Sequence, residues 1–308
     1  MRLRIASPSD ILSSMEVKWL AVTAIAPIAW GSTYFATREY LPDAPLWGAV
    51  LRALPAGLVL LAVRPRRPRG NWWWRSLALG SLTTSAFFAL VYVAAQRLPT
   101  SVASTVMALS PLVLLLLSWL ILRARPTVAA VGGSALALIG VVLLVGRTSE
   151  PVDPLGVLAS AAALCLSSVG FLLAKRWSAD VDLLASTSWQ LLAGALLLLP
   201  VAVLVEGGPP PIDAPTAVAY AYVAVIATAL AFTAWFAGLR HLDAGTVGLI
   251  GLLNPVTGVA LGTALASEQL EGRQWLGLAL ILTGVLAGLP RRRPQAATSA
   301  RSASRTPA

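Results

Sequence analysis

The chain has 308 residues, 57% hydrophobic and 12% charged, with a formal net charge of +10 and a mean hydropathy of +0.77. Soluble domains carry about 25% charged residues, so this chain cannot cover a water-facing surface and its solvent is a lipid bilayer. In a soluble protein such a basic excess would point to nucleic acid. Here Lys and Arg sit between apolar runs, the pattern of loops on the cytoplasmic side of a membrane. A single cysteine, Cys165, excludes an internal disulfide and a cysteine metal cluster, and inside its apolar run it reads as a small packing residue.

Residues 1–16 are short and polar, and Met15-Glu16-Val17-Lys18 reads as a second natural start. The first 14 residues are therefore expected to be an extension without structural consequence. The apolar run that follows lacks a small-residue cleavage site, so it reads as a retained span and not as a signal peptide. A helix needs about 20 mostly apolar residues to cross the hydrocarbon. Ten such runs fall at 17–37, 45–63, 74–95, 100–121, 127–146, 154–175, 183–205, 215–238, 245–266 and 272–289. The alternating pattern of a membrane barrel is absent, which leaves helices as the spanning structure. Residues 290–308 are expected to form a disordered basic tail.

With the N-terminus placed inside, the cytoplasmic segments hold 18 Lys and Arg residues against four outside, with Arg52 inside a span. That ratio predicts both termini in the cytoplasm of a multi-pass protein of the cell membrane. All 13 acidic residues fall in loops or at helix ends.

The chain repeats itself. At an offset of 144, Gln96-Arg97-Leu98 becomes Arg240-His241-Leu242, Ser110-Pro111 becomes Asn254-Pro255, and Gly133 and Gly140 become Gly277 and Gly284. At an offset of 138, Ala36-Thr37-Arg38 aligns with Ala174-Lys175-Arg176, and Leu51-Arg52 with Trp189-Gln190. The difference is taken up in the loop from Glu206 to Asp213. Two copies of a five-helix unit, 17–146 and 154–289, are predicted. Because five is odd, the second copy enters the membrane from the opposite side, the inverted-repeat arrangement of many secondary transporters. Pro111 and Pro255 then lie near mid-bilayer, where each ring removes a donor and displaces the carbonyl four residues earlier, at Met107 and Gly251. Both are predicted helix kinks; a packing role and a cavity-lining role remain open.

These residues resemble the EamA-like transporters of the drug/metabolite transporter superfamily. The resemblance rests on Ala29-Trp30-Gly31-Ser32-Thr33-Tyr34, Leu51-Arg52-Ala53 and Leu98-Pro99-Thr100-Ser101-Val102-Ala103 leading to Leu109-Ser110-Pro111. It continues with Trp189-Gln190-Leu191-Leu192-Ala193-Gly194, and with Leu242-Asp243-Ala244-Gly245 leading to Leu253-Asn254-Pro255 and Glu268. It implies ten helices, a central cavity between the repeats, and export or exchange of small metabolites or drugs. Where the first copy of the family commonly carries an acid, this chain has Arg123-Ala124-Arg125, which leaves a paired role for Glu268 without its partner.

Candidate substrate contacts are Trp30, Ser32 and Tyr34, which offer an aromatic surface and hydroxyls, or alternatively an interfacial anchor. Arg52 lies about 10 Å into its span by helical rise. As an intramembrane ionisable group it is a functional candidate by default, able to bind an anionic group, to bond backbone carbonyls or to snorkel outward. Thr84 and Thr228 are matched by the repeat, as are Tyr92 and Phe236; Trp235 and Gln190 complete the set, with Ser104 and Thr105 behind them. Each of these polar groups also suits an interhelical hydrogen bond. Gly258-x-x-x-Gly262 and Gly284-x-x-x-Gly288 fit either internal packing or a homodimer. Trp72-Trp73-Trp74 beside Arg66, Arg67 and Arg69 reads as an interface belt against lipid.

The function expected is a secondary transporter of small organic solutes, such as amino acids or related metabolites, nucleosides or amphipathic drugs. No nucleotide-binding motif, cofactor or metal cluster is visible. One histidine, His241, and no acid inside a span argue against an intramembrane enzyme. A channel or membrane sensor is the alternative.

Overall fold

The computed structural model of the chain describes residues 8–98, 106–107, 109–145, 153–178, 180–265 and 271–289. In hydrocarbon a spanning segment must satisfy its backbone internally, and the apolar runs accordingly become helices. They are α1 (Pro8–Tyr40), α2 (Pro45–Val63), α3 (Trp72–Gly80, Ser81–Ser85 and Ala86–Arg97 end to end), α4 (Ser110–Leu122) and α5 (Val128–Val145). The second set is α6 (Pro154–Trp177), α7 (Leu183–Glu206), α8 (Ala214–Ala224, Val225–Leu230 and Ala231–His241), α9 (Ala244–Gly251 and Leu253–Leu265) and α10 (Gly272–Gly288). Among the described residues, four helices are long and apolar enough to cross a membrane by length and composition: α2, α6, α7 and α8. The helix α1 begins at Pro8, inside the segment expected to have no structural consequence. Proline suits a first helical turn, which needs no N–H partner.

The outward faces are apolar, with Val128, Leu204, Val218 and Leu286 at least 70% exposed. Between the helices lie small and hydroxyl residues: Thr23, Thr84, Ser160, Thr187, Ser188 and Thr228 are all nearly or fully buried. Lipid tails are as apolar as leucine, so helices associate through close packing and interhelical hydrogen bonds. Cys165 departs from its expected packing role and is exposed on α6. Trp72 departs from the belt: it is buried against Trp189, with ring centroids 5.6 Å apart, while Trp73 and Trp74 remain exposed.

The main pairings are α2 with α7, α4 with α9, α5 with α10, α1 with α8 and α9, α6 with α3 and α4, α2 with α8 and α7 with α3. Moving every helix five places along leaves this set unchanged. The α5–α10 contact repeats the rule at atomic scale. A Cβ on Gly140 would lie 2.6 Å from the Gly277 carbonyl oxygen, and one on Gly277 would lie 2.6 Å from that of Gly140. Gly133 and Gly284 face each other in the same way, at 2.5 and 2.6 Å. Gly284-x-x-x-Gly288 is thus occupied inside the chain, and Gly258 packs against Gly31 of α1.

Acidic residues hold the helix ends. Asp153, Asp182, Asp213 and Asp243 accept N–H bonds in the first turns of α6, α7, α8 and α9, from Leu155, Ala185, Thr216 and Thr246. Glu206, at the end of α7, accepts the N–H groups of Leu46 and Trp47 at 2.8 and 2.9 Å and so caps α2 from outside. Hydrogen bonds from Leu155 N–H and Arg97 hold the Asp153 carboxyl below its ordinary value, and those from Thr216 do the same for Asp213. At Asp182 partial burial pushes upward, but the Ala185 N–H and Arg64 outweigh it and the carboxyl is lowered.

Two predictions follow from this packing. Gly284→Leu loses about 1–3 kcal/mol or more through overpacking, whereas Gly132→Leu, with nothing within 4 Å of its Cβ, is tolerated; thermal unfolding in detergent compares the two. The lowered carboxyls contribute stability that is complete above their ordinary value of about 4 and is lost as pH falls through their lower folded values. Melting temperature therefore falls in strong acid, and Asp153→Asn/Asp182→Asn/Asp213→Asn flattens that dependence.

Candidate transport site

Helix α8 departs from regular geometry at Val225–Leu230, where it widens into a π-helical turn. Such a turn inserts one extra residue into the ladder and is a frequent mark of functional sites. Its loosened backbone finds partners elsewhere. The Thr228 hydroxyl donates to the Val223 carbonyl five residues back, at 2.8 Å. The carbonyl of Ala227 turns to the first half of the chain and accepts two donors. Trp30 Nε1 of α1 reaches it at 3.0 Å, and Arg52 Nη2 of α2 at 3.3 Å. Arg52 Nε also donates to Thr228 Oγ1 at 3.0 Å, and its guanidinium stands 5.2 Å from the ring centroid of Phe88 on α3. Of the options open to Arg52, the structure takes the bonds to backbone carbonyl and hydroxyl.

An aromatic cluster extends from this point. Trp30 lies 5.4 Å from Phe232 and 5.2 Å from Trp235, and Trp235 lies 5.6 Å from Phe171 of α6. The Trp235 indole N–H is buried and has no hydrogen-bond partner. Its ring faces Gly251, where a Cβ would come within 3.3 Å. Gly251 ends the first part of α9, which breaks at Leu252, whose N–H reaches back only three residues to Leu249. Ahead of both Pro111 and Pro255 the helical ladder is interrupted at one residue, Leu109 and Leu252, whose backbones stay in the right-handed helical region. A proline excludes the carbonyl four residues earlier, so the preceding turn tightens and the helix restarts, at Ser110 for α4 and at Leu253 for α9. Pro111 packs on Gly248 at the α4–α9 contact.

Toward one end of α8, Ser32 of α1 shares a hydrogen bond with the hydroxyl of Tyr222. Beyond that pair a cleft of about 630 Å³ opens between α1 and α8, lined by Ala36, Tyr40, Pro215, Val218 and Tyr222.

Of the sequence candidates, Trp30, Ser32, Arg52, Thr228 and Trp235 thus meet along α1, α2 and α8. Thr84 and Gln190 lie apart from them, in the α3–α7 contact. Thr84 packs on Gly194, and Gln190 is 2% exposed with its Nε2 on the Ser186 carbonyl at 2.9 Å. The side chains of Tyr34 and Tyr92, and the residues Ser104, Thr105 and Glu268, lie outside the described residues. Sequence reasoning missed Ala227, which acts through its backbone and leaves no side-chain signal, and Tyr222 and Phe88. Phe232, Trp235 and Phe236, spaced three and four apart, carry a helical stripe that a periodicity search can find.

Comparison with known proteins agrees with this architecture. A profile of the EamA-like transporter family matches residues 17–146 and 154–287. Protein PecM of Dickeya dadantii is 38% identical over 268 residues, covering 85% of this chain and 89% of its own. The inner membrane transporter YedA of Escherichia coli is 28% identical over 272 residues, covering 84% and 86%. One solved crystal structure superposes with a TM-score of 0.77 over 88% of this chain and 96% of the other, at 23% identity, and shows the same fold. The chain belongs to the EamA-like transporter family and is a multi-pass membrane transporter built from two repeats.

Proposed function

We propose that the protein is a secondary carrier of small organic solutes that exports or exchanges them by alternating access. The halves 17–146 and 154–289 insert with opposite orientation, and both termini face the cytoplasm. The observation that carries the reading is the convergence on the Ala227 carbonyl of Trp30 and Arg52, both from the first half, at an irregular turn of the second. Around Ala227 itself the halves meet through a few polar bonds, which a solute can compete for, whereas α5 and α10 are held by glycines in backbone contact. The pairing set that survives a five-helix shift supports the inverted arrangement.

The solute site in this reading lies among Trp30, Arg52, Thr228 and Trp235, with Ser32 and Tyr222 at its margin. An indole face, a guanidinium and an indole N–H suit a solute with an apolar or aromatic body and a carboxylate or carbonyl, the chemistry of amino acids and related metabolites. Five of the acidic residues cap the helix that follows them or, for Glu206, a neighbouring helix. Among the described residues the acids of α1, Asp10, Glu16 and Glu39, lie outside its apolar run at 17–37, and no carboxylate stands within an apolar run to carry a proton; in this reading exchange, facilitated diffusion or the membrane potential drives the flux.

Counterflow in proteoliposomes against a panel of metabolites tests this. Saturable counterflow is expected, independent of an imposed pH gradient. Trp30→Ala and Arg52→Gln each lower the apparent kcat/KM by about tenfold or more, the loss of one good contact at about 1.4 kcal/mol. Unchanged transport in both variants removes the site; non-saturable flux removes the carrier.

A further inference from the structure

The π-helical turn of α8 has a counterpart. Helix α3 carries one at Ser81–Ser85, and the repeat offset of 144 places its first residue on Val225, the first residue of the α8 turn. Under the same offset Thr84 corresponds to Thr228, and under the offset of 138 Gln190 corresponds to Arg52. The chain therefore holds two related contacts: α2 against the α8 turn, and α7 against the α3 turn.

They are in different states. In the first, Arg52 crosses between the helices and bonds Thr228 and the Ala227 carbonyl. In the second, Gln190 folds back on its own helix to the Ser186 carbonyl. Its Oε1 and the Thr84 hydroxyl are then both buried without a hydrogen-bond partner. The two groups are complementary, an acceptor and a donor. They sit on facing helices one turn apart, since Gly194, the residue on which Thr84 packs, follows Gln190 by four. Leaving such groups unpaired in an interior costs about 1–3 kcal/mol each, and a native structure that leaves a matched pair unpaired calls for a reason.

We propose that Arg52–Thr228 and Gln190–Thr84 are alternating latches, closed in turn in the two end states of the carrier. This rests on the alternating-access reading above. In the conformation described here the Arg52 latch is shut and the Gln190 latch is open. In the opposite state the Thr84 hydroxyl donates to Gln190 Oε1, while Arg52 and Trp30 release the Ala227 carbonyl and face the solute. Closing the Gln190 latch satisfies two buried groups with one bond, which offsets part of the cost of opening the Arg52 latch and keeps the opposite state within reach of the carrier. Gln190 and Thr84 thus act as positioning residues for the transport step without touching the solute. The unequal partners, a charged guanidinium on one side and a neutral amide on the other, bias the resting carrier toward the state in which the Arg52 latch is shut.

Hydrogen exchange of the full-length protein in lipid nanodiscs, followed by mass spectrometry, reads the two turns separately and needs no substrate. Arg52→Gln is expected to raise deuterium uptake at 225–230 and to lower it at 81–85, by about twofold or more in opposite directions, since local opening is reported segment by segment. Gln190→Leu/Thr84→Val removes the two unpartnered buried atoms at the cost of one bond, from Gln190 Nε2 to the Ser186 carbonyl of its own helix, so it folds, melts higher, protects 225–230 further and loses counterflow. The exchange Arg52→Gln/Gln190→Arg reverses the wild-type protection pattern of the two turns. If uptake at 81–85 is unchanged in Arg52→Gln, or moves in the same direction as at 225–230, the latches are independent packing contacts and the proposal falls. Absence of counterflow in the wild-type protein instead overturns the carrier reading, whatever the exchange pattern.

Discussion

Backbone at an irregular helical turn must find its partners within the protein, because hydrocarbon offers no water to bond it. The rest of this structure is arranged around that constraint at one residue. The widened turn in α8 turns the Ala227 carbonyl outward, and two donors from the other half of the chain come to it: an indole from α1 and a guanidinium from α2. Arg52 is stabilised inside the bundle by those bonds, by the Thr228 hydroxyl and by the face of Phe88. The halves are thereby joined at a polar point while being clamped elsewhere by glycines in backbone contact.

The same accounting explains the acids. Every helix start in a membrane leaves N–H groups without partners, and five of this chain's carboxylates bond such groups. Asp182 does so while paired with Arg64 at 2.8 Å, and Glu206 serves a neighbouring helix in place of its own. Lys175 performs the complementary task, donating to the carbonyls of Leu239 and Leu242 where α8 ends. Among the described residues these charges serve helix ends, while Arg52 joins the two halves within the helical core.

Much of this was legible in the sequence because hydropathy and period act over many residues. The runs at 45–63, 183–205 and 272–289 fall within a residue of α2, α7 and α10 at both ends. The matched glycines of α5 and α10 were visible as a repeat, and their reciprocal contact follows from it. Trp30 and Arg52 stood out because a tryptophan beside hydroxyls and an arginine in an apolar run are costly without a partner. The partner itself was invisible: nothing in Val225-Ile226-Ala227-Thr228-Ala229-Leu230 announces a π-helical turn, since Ala227 contributes a carbonyl that every residue has. Thr84 and Gln190 were recognisable as polar and repeat-related, but their separation from the Trp30 cluster depends on how α3 meets α7, which sequence spacing does not encode.

The central claim is that the region around Trp30 and Arg52 is exposed to each side of the membrane in turn. Its most direct test is labelling of Ser32→Cys, in a Cys165→Ser background, by a membrane-impermeant maleimide in right-side-out and in inside-out vesicles. The account predicts that the thiol is labelled from both faces, and that saturating solute slows both reactions. Labelling from one face alone, under every solute condition, would contradict it.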